Sequence, residues 1–72
     1  MTRLGEYLLK HSVNKSEVAR KTGLSNSRLS ELSTNTKTKL RADELYKIAL
    51  AIGANACDLL EYVCGEVSLE KD

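Results

Sequence analysis

Apolar residues recur along the chain three or four positions apart, and small polar residues or glycines break that rhythm at short intervals. The spacing predicts five short helices. The first spans residues 2–10, with Thr2 as N-cap and Leu4 and Leu8 one turn apart facing inward. Asn14, with Glu17 three residues on, forms the signature of a capping box and opens a second helix running to about residue 22. Its inward face is Val18 and Ala19, and Gly23 supplies the left-handed residue that ends it. Ser25 caps a third helix, over about residues 26–33, with Leu29 and Leu32 inward and Asn26, Ser27, Arg28 and Glu31 outward. After the polar loop STNTKTK, a fourth helix covers residues 42–52, with Asp43 and Glu44 in the first turn, where the helix dipole favours acids. Leu45, Ile48, Ala49 and Ile52 make its apolar stripe, and Gly53 ends it. Asn55 caps a fifth helix to about residue 63, carrying Leu59, Leu60 and Val63, and Gly65 stops it.

The tail EVSLEKD alternates, with Val67 and Leu69 on one side and Glu66, Ser68 and Glu70 on the other. That pattern fits a short strand, a pairing arm or a frayed terminus. The chain has no proline, no low-complexity run and no repeat, so the expectation is one all-α domain over residues 1–64 and a short tail over 65–72.

The break between the second and third helices carries the functional signal. Two helices of about eight residues joined through a glycine turn leave each other at a steep angle, the helix-turn-helix arrangement. Ala19 is small where the third helix crosses above it, Gly23 permits positive φ, and Leu24 plugs the turn into the core, with Val18, Leu29 and Leu32 completing the wedge.

Charge strengthens this reading. The net charge of +1 hides a sorted distribution: residues 1–41 hold nine Lys or Arg against three Glu, and residues 42–72 hold two Lys against seven acids. A basic half and an acidic half in one small domain point to a basic face and a polyanion partner. An apolar fraction of 42% and a charged fraction of 29% fit a folded domain. No apolar run approaches the roughly 20 residues of a membrane span, and the first ten residues have no signal-peptide core, so the expected location is the cytoplasm. Cys57 and Cys64 are too few for a metal site, with His11 the only histidine and far off in sequence; they read as small, semi-buried residues, and no cofactor or metal is expected.

From residue 4 to residue 61 the chain resembles the phage-repressor type of helix-turn-helix DNA-binding domain, the Cro- and cI-like or xenobiotic-response-element family. The resemblance rests on Leu4 and on the blocks VNKSEVARKTGLSNSRLSEL and DELYKIALAIGANACDLL. It implies a five-helix, lambda-repressor-like fold whose third helix enters the major groove of double-stranded DNA while the second lies across the backbone. Carried over by position, Asn26, Ser27, Arg28 and Glu31 fall where base edges are read. Asn suits adenine, Arg guanine, and Glu a cytosine amine. Lys15, Ser25, Thr34, Asn35, Lys37 and Lys39 fall where that family touches phosphates, the contacts that supply most of the salt-sensitive affinity. The arginine on the first helix and the glutamate ending the third that many members pair are Leu8 and Ser33 here, so both halves are missing together. Asn35 stands in place of a helix-ending glycine, as the next best left-handed residue.

Other readings compete at each position. Arg28 and Glu31, three apart, fit a solvated surface pair, and Lys37 and Lys39 fit loop solubilisers. Tyr7, Tyr46 and Tyr62 fit core-edge packing, and His11 a cation-favouring helix end. The chain has no nucleophile–base–acid set, no phosphate loop and too little mass for a substantial cleft, so no enzymatic activity is expected. Two function classes remain. One is a sequence-specific DNA-binding regulator, a repressor acting as a homodimer through the fifth helix and tail. The other is a protein-interaction module on the same fold, such as an antitoxin-like or accessory regulatory subunit, whose apolar patch would draw on Leu59, Leu60, Val63, Val67 and Leu69.

Overall fold

The computed structural model describes residues 1–69 and contains five helices: α1 (Arg3–Lys10), α2 (Lys15–Thr22), α3 (Asn26–Thr34), α4 (Ala42–Ile52) and α5 (Ala56–Cys64). Among the described residues there is no strand. Four of the five helices start on the side chain that the sequence nominates. Thr2 accepts from Gly5 N–H, Asn14 from Glu17, Ser25 from Arg28, and Asn55 from Cys57 and Asp58. The box at Asn14 is half formed, because the Glu17 carboxylate turns to Arg20 at 2.7 Å instead of the cap. Helix α4 has no such cap. There Glu44, in the first turn, reaches back and accepts the Arg41 N–H at 2.9 Å.

The core is one cluster: Leu4 and Leu8 of α1, Val18 of α2, Leu29 and Leu32 of α3, Leu45, Ile48 and Ala49 of α4, and Leu59 of α5. Packing joins α1 to α3 and α5, α2 to α3 and α4, and α4 to α5. Helix α1 meets the end of α3 almost backbone to backbone. The Thr2 hydroxyl donates to the Leu32 carbonyl at 2.6 Å, and Thr2 N–H donates to the Ser33 carbonyl at 3.0 Å. These bonds satisfy carbonyls that a helix C-terminus leaves open. Gly5 makes the approach possible, since a Cβ there would overlap the Ser33 carbonyl oxygen. Leu8 and Ser33, which stand where an ion pair is common in the family the sequence resembles, are both buried. Ser33 satisfies its hydroxyl on the Leu29 carbonyl at 2.8 Å, so the replacement leaves no orphaned polar group.

Several expectations are corrected. Asn35 is extended (φ −94°, ψ 108°), not left-handed; its side-chain oxygen accepts the Lys37 N–H at 2.9 Å and builds an Asx turn instead. Gly65 does stop α5 after Cys64, and it does so in a right-handed conformation (φ −61°). Left-handed backbone appears at Gly23 (φ 79°) and Gly53, as expected, and also at Ser12 (φ 53°), which follows α1. Tyr7 and Tyr62 do pack at a helix seam, edge to face with centroids 5.2 Å apart, but Tyr46 is exposed. Leu59 is fully buried and is core, not patch. Cys57 and Cys64 are exposed rather than semi-buried. In the tail, Val67 and Leu69 are exposed and form no strand; the part of the tail expectation that falls on residues 70–72 lies outside the described residues.

Candidate nucleic-acid interface

The site is built on the α2–α3 break. Val18, Leu29 and Leu32 are buried and Leu24 packs against them, which fixes α3 against α2 through its apolar face. The opposite face of α3 is left to solvent, and Asn26, Ser27 and Glu31 are all exposed on it. Ser25 caps the helix through the Arg28 N–H at 3.0 Å, which engages its oxygen as acceptor and leaves its hydroxyl proton available to an incoming phosphate.

Of the other expected phosphate contacts, Lys15, Thr34, Asn35, Lys37 and Lys39 are all exposed. Lys15 opens α2 and shares the wall of a hollow of about 120 Å³ with Ser33 and Thr34 at the end of α3, so the start of α2 and the end of α3 border the same hollow. The Thr34 hydroxyl already donates to the Ser30 carbonyl at 2.7 Å, which commits its proton within the helix. The Asn35 turn holds the loop that presents Lys37 and Lys39, with Thr38 N–H returning to the Asn35 carbonyl at 3.1 Å.

Arginine and lysine divide the work. Among the described residues, each arginine lies within 4 Å of a carboxylate: Arg3 with Glu6, Arg20 with Glu17, Arg28 with Glu44 and Arg41 with Asp43. No lysine does. The positive charge open to a polyanion in the first half of the chain is therefore carried mainly by Lys10, Lys15, Lys21, Lys37 and Lys39. Lysine serves phosphate as a mobile point charge, so the division suits backbone contact.

Arg28 departs most from expectation. It is half-buried, and instead of facing solvent beside Glu31 it turns to Glu44 on α4. Nε donates to Glu44 Oε2 at 2.8 Å and Nη2 to Oε1 at 2.9 Å, while Nη2 also donates to the Lys39 carbonyl at 3.0 Å. The hydrogen-bonded guanidinium holds the Glu44 carboxyl below the ordinary carboxylate range, and Glu44 in turn raises the Arg28 pKa. Sequence reasoning missed Glu44. The available signal was an acid three residues into a helix whose cap position, Arg41, has no accepting side chain.

Among the described residues no group of three potential metal ligands exists, and no helix is long and apolar enough to cross a membrane. No curated protein and no solved structure gives a significant match to the chain. The family model for the Cro/C1-type helix-turn-helix DNA-binding domain matches residues 3–65, all five helices. That match covers most of the sequence, and the chain belongs to the Cro/C1-type helix-turn-helix DNA-binding domain family.

Proposed function

We propose that the protein is a sequence-specific, cytoplasmic transcriptional repressor that binds double-stranded DNA as a homodimer, with α3 in the major groove. The observation that carries this reading is the exposed first turn of α3, Asn26 and Ser27 with Glu31 one turn on, together with exposed Lys15, Lys37 and Lys39, which lie within 4 Å of no carboxylate among the described residues. Asn26 reads an adenine edge, Ser27 and Glu31 adjoining bases, and Lys15, Ser25, Thr34, Asn35, Lys37 and Lys39 hold the phosphates. Thr34 would reach a phosphate by turning its hydroxyl proton away from the Ser30 carbonyl. Repression needs only occupancy of promoter DNA, which a DNA-binding domain can supply by itself.

Dimerisation is supported by need and by surface. One short recognition helix reads too few base pairs for a genome, and two copies double the site. On α5, Cys57, Leu60 and Cys64 are exposed at i, i+3 and i+7, a stripe along one side of the helix that fits a second copy.

Paired variants test the assignment of roles. Asn26→Ala is expected to lose about 1–3 kcal/mol of discrimination at a single base pair, whereas Lys37→Ala weakens all duplexes alike and lowers the salt slope by about one. Binding isotherms on a preferred duplex, its single-base variants and random DNA separate the two. Uniform weakening by Asn26→Ala on every duplex would remove it from the reading face.

A further inference from the structure

We propose that Arg28 is a positioning residue that, through Glu44, ties the first turn of α3 to the α3–α4 loop and holds them as one DNA-binding surface. The inference rests on the DNA-binding reading and reassigns one residue within it. A guanidinium reads guanine by presenting one edge with two N–H donors. The Nε–Nη2 edge of Arg28 is already laid fork to fork on Glu44, whose side chain is 7% exposed, and the same Nη2 reaches the Lys39 carbonyl. Turning that edge toward DNA would leave a buried carboxylate uncompensated, a costly exchange. Glu44 Oε1 also accepts the Arg41 N–H, so the ion pair joins the start of α3, the Lys39 carbonyl (through Arg28) and the start of α4. The loop between them is polar and presents Lys37 and Lys39 to solvent. Its geometry relative to Asn26 and Ser27 is fixed from one end by the Asn35 turn and from the other by this clamp.

Charge makes the test decisive. If electrostatics alone mattered, removing the negative charge of Glu44 would tighten binding to DNA. Positioning has the opposite sign. Affinities for a preferred duplex and for random DNA are measured for the wild type, Glu44→Gln, Arg28→Lys and the double variant, each confirmed folded by circular dichroism. Positioning predicts that each single variant weakens the preferred duplex by at least about fivefold without changing which bases are preferred, and that the double variant is scarcely weaker than either single. In parallel, amide exchange without DNA should quicken at Lys37, Thr38 and Arg41 in both single variants. Unchanged or tighter binding by Glu44→Gln, or an altered preference at one base pair in Arg28→Lys, would overturn the proposal and return Arg28 to base reading. Absence of DNA binding by the wild type would instead sink the functional reading, and the exchange arm would still decide whether the clamp orders the loop.

Discussion

Single atoms decide where α1 sits. Gly5 has an ordinary helical conformation, and an alanine there gains helix propensity worth about 0.5–1 kcal/mol. Its Cβ, however, would overlap the Ser33 carbonyl oxygen, which is pinned by Thr2 N–H and cannot give way cheaply. Overpacking costs about 1–3 kcal/mol, so Gly5→Ala is expected to destabilise by a net kcal/mol or so, read as a lower urea midpoint at unchanged slope. Nothing in the local sequence marked Gly5 as special, because the neighbour it must accommodate lies 28 residues away. Glu44 was hidden for the same reason: its partner Arg28 is 16 residues off, on another helix. The sequence did show an acid in the first turn of α4, but the dipole alone explained it.

Helix ends were far more legible than contacts between helices. Thr2, Asn14, Ser25 and Asn55 cap through bonds to N–H groups two or three residues ahead, and Gly23 and Gly53 end helices by their own conformations; both are local facts that a short stretch of sequence contains. Asn35 shows the limit, since residue type alone gives a left-handed option that the surrounding chain did not use. The junction of α3 and α4 has a pH signature that follows from its ion pair. The guanidinium, helped by the Arg41 N–H, lowers the Glu44 pKa from its ordinary 4.5 in the folded state. A depressed folded value means that the pair contributes its full stability above that ordinary value and loses it as pH falls below. The stability gap between wild type and Glu44→Gln is expected to stay constant from neutral pH to about pH 5 and to narrow below the ordinary carboxylate value, as followed by urea denaturation at a series of pH values. Glu17 is also lowered, by Arg20, and titrates equally in both proteins, so the difference isolates Glu44.

At the scale of the molecule, the apolar pattern fixed which faces turn inward but not every surface left over. Leu59 and Leu60 are adjacent in sequence, yet Leu59 is fully buried and Leu60 is half exposed, because successive helical residues point in different directions and only one of the two faces the core that α5 shares with α1 and α4. Leu60 therefore belongs to the proposed dimer stripe and Leu59 to the core. Leu60→Glu is expected to leave the fold intact and to shift sedimentation from dimer toward monomer, with a matching loss of DNA affinity. The charge sorting was legible as a total; that, among the described residues, the arginines are engaged with carboxylates and the lysines are not became visible only in three dimensions. The central claim, that two copies of α3 read a defined DNA sequence, is tested most directly by selecting bound duplexes from a random pool at low and near-physiological salt. The expected result is a two-fold symmetric consensus, half-sites about one helical turn apart, that sharpens at the higher salt as non-specific binding falls away. A pool that remains unenriched at both salt concentrations would contradict it.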